Sequence, residues 1–243
     1  MDNKITKKRV ALHFEYDWLK YVLVLLASIL IFYIVYWQIN VTREFEKLDI
    51  YFSTYQNNSG TNLSDGFKQK LKEEGDDIIR KVNVSYQNPN SSSYPMTTTT
   101  NSYTSDVMIL PEYYMESQAF NFIEFSDDIL KDCIPEGMEV EKYVYPSTNE
   151  VYKEYHGKIY AIRIDNLKKI DNSINKENSP FIFDMTQIVS ESEKENYAQS
   201  PTKFYMVINP NSVNIGKYGK DKDYRHLKHT FRFIRYFLET YNV

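Results

Sequence analysis

Residues that commonly carry catalysis or bind metals are few in this 243-residue chain. It has four histidines and one cysteine, Cys133. His226 and His229 are three residues apart and suit one metal ion, but two imidazoles alone make an incomplete site. A single cysteine excludes an internal disulfide, a Cys-rich zinc site and an iron–sulfur cluster. We therefore expect no metal site and no cofactor.

Paired carboxylates are the remaining catalytic candidates. Asp76 and Asp77 form one pair, and Asp127 and Asp128 form another. Each pair lies where a helix is expected to begin or end, which favours a capping role. The sequence contains no nucleophile elbow, phosphate-binding loop, zinc-protease motif or dinucleotide fingerprint. We predict a protein that is not an enzyme and has no catalytic residues; the alternative is a membrane-anchored hydrolase that uses Asp127 and Asp128.

Tyrosines beside amide side chains are the candidates for ligand binding. Tyr55, Gln56 and Asn57 follow the first predicted strand, and Tyr113 and Tyr114 follow the third. In an open α/β sheet, ligands bind beyond the carboxyl ends of the parallel strands. Aromatic rings and amides suit a neutral polar ligand such as a sugar. Because the chain contains 22 tyrosines, an ordinary packing role for these residues is an equal alternative.

A basic run near the carboxyl terminus is the best candidate for binding nucleic acid or anionic lipid. Its members are Lys217, Lys220, Lys222, Arg225, Lys228, Arg232 and Arg235. Asp221 and Asp223 interrupt the run, and the aromatic residues among its members follow the spacing of a helix core. The net charge of −4 provides no global positive field. We predict no nucleic-acid binding and assign the run to the solvated face of a terminal helix.

Residues 21–42 are predicted to form one transmembrane helix. They contain no charged side chain, and 22 residues of helix span about 30 Å of hydrocarbon. Tyrosine and tryptophan lie towards both ends, where they favour the membrane interface. The alternatives are a buried core helix and a cleavable signal peptide, but a signal peptide has a shorter apolar region and a small-residue cleavage site.

The charges around this segment predict its orientation. Five basic residues precede it, and only Arg43 and Lys47 follow it closely. The positive-inside rule then places residues 1–20 in the cytoplasm as a basic tail and residues 43–243 outside the cell. We therefore expect a single-pass cell-membrane protein whose first partner is the lipid bilayer, through residues 21–42.

The residues after the predicted span alternate between strand and helix patterns. Strands are expected at residues 47–55, 82–86, 106–110 and 203–210, and a hairpin at residues 151–164 with its turn at His156 and Gly157. The near-continuous apolar run at residues 106–110 is typical of a strand covered on both faces. A helix is expected at residues 63–75, because Leu63, Phe67 and Leu71 recur at the spacing of one helix face and Gly75 suits a C-cap. Further helices are expected from Pro111, at residues 120–131 and at residues 224–241, the last with Leu227, Phe231, Ile234 and Leu238 on one face. Residues 87–105 are expected to form a surface loop. This order predicts an α/β domain with a mostly parallel central sheet.

Several segments, in this order, resemble the first lobe of extracellular solute-binding proteins of the type 2 periplasmic-binding-protein class. Residues 47–55 resemble their first strand, and residues 104–111 (TSDVMILP) resemble the strand and turn that place ligand contacts. Residues 157–164 (GKIYAIRI) are similar to the strand that enters the hinge, with Arg163 where proline is usual. Residues 204–209 are similar to the strand by which the chain returns.

The resemblance implies a single-lobe, non-enzymatic binding domain. Asn209 and Asn211 follow the returning strand, and we add them to the expected ligand-binding residues. Between residues 164 and 203 the chain is too short for the second lobe of the family, and one lobe cannot close around a ligand. We therefore expect an anchored binding or accessory protein, whose partner is a small polar ligand, a membrane transporter or another envelope protein. The alternative is a structural or assembly subunit of a bacterial envelope complex.

Overall fold

A computed structural model describes residues 6–56, 63–87, 104–146, 150–170, 181–183, 202–212, 214–215 and 225–242. The chain divides into two units, residues 1–43 and residues 44–243. The first unit contains one long helix, and the second contains a mixed α/β domain.

The first unit is built on helix α1, Lys7–Asn40. At 1.5 Å per residue its length is roughly 50 Å, which exceeds the roughly 30 Å of a hydrocarbon core. Within it, Glu15–Asn40 is the one stretch of the described chain long and apolar enough to cross a membrane. Ser28 Oγ donates to the Val24 carbonyl at 2.8 Å, so this hydroxyl needs no water. The helix begins at Lys7, 14 residues before the predicted span, so residues 7–20 are helical as well.

The domain of the second unit contains eight strands and four helices among its described residues. The strands are β1 Lys47–Phe52, β2 Tyr55–Gln56, β3 Lys81–Tyr86, β4 Val107–Pro111, β5 Lys142–Val144, β6 Ile159–Arg163, β7 Phe181–Ile182 and β8 Phe204–Ile208. The helices are α2 Leu63–Glu73, α3 Glu112–Gln118, α4 Asp127–Cys133 and α5 Arg225–Tyr241. Short 3-10 helices occur at Glu44–Glu46, Ala119–Asn121 and Glu150–Tyr155.

Six strands form one mixed sheet in the order β3-β1-β4-β8-β6-β5, and β2 pairs with β7 separately. Strand β1 is parallel to β3 and β4, whereas β4–β8, β8–β6 and β6–β5 are antiparallel. The prediction of an α/β domain is confirmed, but the prediction of a mostly parallel sheet is wrong. The returning strand β8 lies inside the sheet and runs opposite to both neighbours, and its apolar composition carries no information about direction.

Both faces of the sheet are covered, as the fully buried sequence of β4 predicts. One face packs under α2, α4 and α5 and is rich in phenylalanine, including Phe52, Phe67 and Phe237. The other face is rich in tyrosine, including Tyr51, Tyr143 and Tyr205. Because successive side chains of a strand point to opposite faces, Tyr51 and Phe52 enter different cores.

Two helix predictions are confirmed in detail. Leu63, Phe67 and Leu71 of α2 are buried, and Gly75 follows the helix with a φ of 75°, as a C-terminal glycine should. The terminal helix α5 places Phe231, Ile234 and Leu238 in the core.

Two local predictions are wrong. The expected hairpin at residues 151–164 does not form, because Glu150–Tyr155 is a 3-10 helix and β6 pairs with β5. The helix expected at residues 120–131 is shorter and shifted, because the α-helix there is Asp127–Cys133. Residues 122–126 instead run along the sheet, where Ile123 N donates to Ile208 O at 3.0 Å and Phe125 N donates to Ile159 O at 2.7 Å. Of the expected loop at residues 87–105, residues 88–103 lie outside the described chain.

Candidate functional site

The predicted ligand-binding tyrosines lie at the edge of the sheet where β1, β4 and β6 end, here called the carboxyl edge. Tyr113 and Tyr114 occupy the first turn of α3, directly after β4, with ring centroids 4.9 Å apart. Tyr113 is 43% exposed. The backbone of Tyr55 and Gln56 forms β2, three residues beyond the end of β1. The described residues do not include Asn57 or the side chains of Tyr55 and Gln56.

The other two predicted site residues lie at the opposite edge, here called the entry edge, where β1 and β4 begin. Because β8 is antiparallel to β4, the end of β8 meets the beginning of β4, and Ile208 pairs with Val107. Asn209 is buried, donates from Nδ2 to Ser105 O at 2.8 Å and accepts from Asn211 N at 3.0 Å. The structure therefore does not bring Asn209 and Asn211 together with the tyrosines.

Five charged side chains form a continuous chain of ion pairs at the carboxyl edge. Arg163 contacts Asp165 through two hydrogen bonds of 2.9 and 3.0 Å and contacts Glu141 at 2.6 Å. Lys203 lies 3.3 Å from Glu141 and 3.6 Å from Glu112. Burial acts to raise the pKa of Glu141, but its bonds with Arg163 and Lys203 hold that pKa below the usual value. The sequence had shown Arg163 only as a departure from a family pattern.

The chain leaves and re-enters the sheet at adjacent positions of this edge. Arg163, at the end of β6, is paired with Tyr205 of β8. Ile164 N donates to Phe204 O at 3.0 Å, and Asp165 Oδ1 accepts from Phe204 N at 2.9 Å. Asp165 thus ties the departing strand to the returning strand. Arg163 also donates its backbone N–H to Glu141 O at 2.8 Å, a bond that proline at this position could not make.

The segment between these strands comes back to the same hydrophobic core. Phe181 stacks on Phe52 with ring centroids 4.8 Å apart, and Phe183 lies 4.9 Å from Phe204. Both phenylalanines are buried on the helix-covered face. Between β6 and β8 the structure describes residues 164–170, 181–183 and 202–203, which leaves two stretches outside the description, residues 171–180 and 184–201. Neither is long enough for a second domain of ordinary size.

A groove of about 530 Å³ lies between α2, α4 and α5 and contains three cations of the basic run, Lys228, Arg232 and Arg235. Arg232 pairs with Glu74 and Asp76. Arg235 donates to the Asp132 and Lys131 carbonyls at 2.9 and 2.6 Å, at the end of α4. Acidic residues of the groove include Glu74 and Glu239, which flank Lys70. Arg232 and Arg235 thus hold helices together, and the charges of the groove largely balance. The side chain of Arg225 lies outside the described part of the chain. Lys217, Lys220 and Lys222 lie outside the described residues.

The residues considered for catalysis or metal binding lie in a helix turn, an ion pair and the core. Asp127 and Asp128 occupy the first turn of α4, which Ser126 caps through Ile129 N. His229 is buried and lies 2.8 Å from Asp76, which joins α5 to the end of α2. Burial raises the pKa of the Cys133 thiol, which opposes formation of a thiolate. No group of three or more potential metal-ligating side chains occurs among the described residues.

Comparisons with protein-family models, with curated proteins and with solved structures found no match to this chain.

Proposed function

We propose that this chain is a membrane-anchored binding or accessory protein that is not an enzyme. Helix α1 holds the protein in the cell membrane, with residues 1–20 in the cytoplasm and the domain outside the cell. The domain serves as a single lobe of the type 2 solute-binding-protein class.

The path of the chain between β6 and β8 carries this proposal. In the resemblance, the strand at residues 157–164 enters the hinge and the strand at residues 204–209 returns from it. Here β6 and β8 are neighbours in the sheet, and Asp165 accepts a hydrogen bond from the first residue of β8. If a short segment replaces the second lobe, the strand that leaves the first lobe and the strand that returns to it must lie side by side, as β6 and β8 do.

The proposed binding surface is the carboxyl edge around Tyr113 and Tyr114. It combines exposed aromatic surface with the carboxylates and cations of Glu112, Lys203 and Glu141. Aromatic rings close to polar groups suit a sugar or a similar polar molecule. With one lobe, this edge stays open, so a ligand there remains accessible to a membrane transporter or another envelope protein.

Thermal melts of the full chain in lipid nanodiscs test ligand binding, with sugars, amino acids, peptides and polyamines as probes. A ligand at 100 times its dissociation constant adds about 2.7 kcal/mol, which raises the melting temperature by roughly 5–10 °C. The Tyr113→Ala variant should lose this shift. The matched control Val151→Ala, at a side chain 81% exposed elsewhere on the domain, should keep it. An equal shift in both variants would place binding away from the carboxyl edge.

A structural or assembly role is the second candidate. Val144 and Val151, 50% and 81% exposed, are large apolar side chains on the domain surface that suit a protein partner. A photo-crosslinking residue at position 113 or 151 of the full chain in cells distinguishes the two roles. Crosslinks to one protein from position 151, without any ligand-induced shift, would favour assembly over ligand binding.

Membrane orientation is tested separately by cysteine labelling. A reagent that cannot cross membranes should label Val151→Cys in intact cells and Lys8→Cys only after lysis. Cys133 is buried and contributes little background. The reverse pattern would refute the orientation but leave the binding surface open to test.

A further inference from the structure

Polar side chains near the start of α1 form a network on one side of the helix. Asp17 lies 2.6 Å from His13 Nδ1 and accepts a hydrogen bond from Lys20 Nζ at 2.6 Å. Tyr21 Oη also contacts His13 Nε2. Residues three, four or eight positions apart share one side of a helix that has 3.6 residues per turn. This side therefore carries charges of both signs, at the end of α1 that the proposed orientation places in the cytoplasm.

The same side continues through the predicted span, and we call it the polar face. Its members follow one another at intervals of three, four or seven residues, and they are Asp17, Lys20, Val24, Ala27, Ile31 and Gln38. Ser28 lies beside it, one turn from both Val24 and Ile31. Apart from aromatic residues, the polar residues at positions 21–40 are Ser28, Gln38 and Asn40. Two of these three thus lie on or beside the polar face.

A second side of α1 is rich in leucine and aromatic residues, and we call it the lipid face. Its members recur every three or four residues and are 56–66% exposed, and they are Leu23, Leu26, Leu30, Tyr33 and Trp37. Leucine matches the hydrocarbon of a bilayer, and the aromatic residues lie towards the end of the span, where they suit the membrane interface.

Polar groups within a membrane favour contacts between helices. Hydrocarbon offers no hydrogen-bond partner to a hydroxyl, an amide or a charged group. Small residues such as Ala27 favour the same contacts, because they let two helix backbones approach closely. Lipid chains and leucine side chains are equally apolar, so a leucine-rich face gains little from leaving the lipid. A second helix should therefore meet α1 on the polar face and not on the lipid face.

We propose that α1 pairs in parallel with α1 of a second copy of this chain through the polar face, so that the protein is a dimer in the membrane. This inference rests on the membrane anchoring proposed above.

The chemistry of the polar face fits a second copy of the same helix. Copies inserted in the same orientation are parallel, so equal residues meet at equal depth. Asp17 of each copy then lies within one turn of Lys20 of the other, which makes the face complementary in charge to itself. The amide of Gln38 contains both a donor and an acceptor, so two Gln38 side chains can bond to each other. The face also repeats every seven residues, as in two helices that wind around each other with a left-handed twist.

Cysteine crosslinking of the full chain in isolated membranes tests the contact. Ala27→Cys and Ile31→Cys on the polar face should give disulfide-linked dimers on oxidation with copper phenanthroline. The matched controls Leu26→Cys and Leu30→Cys lie at nearly the same depth on the lipid face. They should give no dimer above the wild type, because a disulfide requires Cα atoms within about 7 Å of each other. The wild type sets the background, since its single cysteine, Cys133, is buried.

Alkaline carbonate extraction of the same membranes separates failure of the pairing from failure of the anchor. A chain that stays in the membrane without crosslinks at positions 27 and 31 would refute the pairing but leave the anchor and the binding surface intact. Equal crosslinking on both faces would indicate random collisions and would also overturn the pairing. Release of the chain by carbonate would refute the anchor and the pairing together.

Energy transfer between fluorescently labelled full chains in lipid vesicles tests the amide pair. Gln38→Leu removes the hydrogen bond between the two copies and should weaken pairing roughly three- to tenfold. The matched control is Asn40→Leu, because Asn40 lies on another side of α1, where its Nδ2 donates to Tyr36 O at 2.7 Å. This control should pair as the wild type does. An equal effect of both variants, or no effect of Gln38→Leu, would overturn the polar face as the contact.

Discussion

Replacing Gly66 in α2 with alanine should have opposite effects in two backgrounds. In an ordinary helix interior, alanine is favoured over glycine by about 1 kcal/mol. A Cβ atom at Gly66, however, would lie 2.2 Å from Tyr236 Oη and 3.4 Å from Tyr236 Cζ. The first separation is an impossible contact, whereas the second is an ordinary one. Only the tyrosine hydroxyl therefore prevents the helix from gaining stability.

The magnitude follows from how firmly the Tyr236 ring is held. The ring packs against Phe67 with a centroid distance of 5.4 Å, so moving it away disrupts packing between α2 and α5. Overpacking of this kind costs about 1–3 kcal/mol. Gly66→Ala in the wild type should thus be neutral or destabilising by up to about 2 kcal/mol. In the Tyr236→Phe background it should stabilise by up to about 1 kcal/mol.

The assay is a double-mutant cycle by urea unfolding of the full chain in nanodiscs. Both tryptophans lie in α1, but only four of the 22 tyrosines do, so the near-ultraviolet circular dichroism of tyrosine reports mainly on the domain. The coupling energy between Gly66→Ala and Tyr236→Phe should be about 1–3 kcal/mol. Equal effects of Gly66→Ala in both backgrounds would refute the close packing of α2 on α5.

Three further predictions concern the core and its ion pairs. Phe181→Ala should lower the free energy of unfolding by about 3–5 kcal/mol, because Phe181 stacks on Phe52; denaturation with Val151→Ala as the control tests this, and a loss below 1 kcal/mol would mean that the segment does not dock. Asp165→Ala should lower the free energy of unfolding by about 2–3 kcal/mol, because it leaves the buried Phe204 N–H without an acceptor. Asp165→Asn keeps an acceptor and should lower it less, so equal losses in the two variants would contradict the role of that hydrogen bond. Burial acts to raise the pKa of Asp76, but its interactions with Ile78 N, His229 and Arg232 lower that pKa overall. Asp76→Asn should therefore lower the free energy of unfolding at neutral pH, and this loss should shrink as the pH falls below 3.8. A loss that does not change with pH in urea unfolding would refute this.

Local patterns in the sequence were sufficient wherever one segment alone decides the structure. The uncharged residues 21–42 predicted an apolar helix, since the length of such a run is a property of the segment itself. The spacing of Leu63, Phe67 and Leu71 predicted α2 and its buried face, and Gly75 predicted its end. The continuous apolar residues of β4 predicted a strand covered on both faces.

Contacts between distant segments escaped sequence reasoning. The chain of ion pairs from Asp165 to Glu112 joins residues that are far apart in the sequence, and each charge alone resembles an ordinary surface residue. The three-residue strand β5 was too short to give a periodic signal, so the partner of β6 was misidentified. The sequence predicted Asp106 only as part of a strand. Its hydrogen-bond donors Asp49 N and Ser212 Oγ lie 57 and 106 residues away along the chain, so no local pattern indicates them.

The sequence by itself determined that the chain has an apolar N-terminal helix and an α/β domain, because hydrophobic periodicity and run length are local properties. Only the tertiary structure decided at which edge of the sheet each candidate site residue lies. Tyr113 and Tyr114 follow β4, and because β8 runs opposite to β4, Asn209 and Asn211 lie at the other edge of the sheet. Strand direction depends on which neighbours the chain reaches on its return, and that choice is made by packing across the whole sheet.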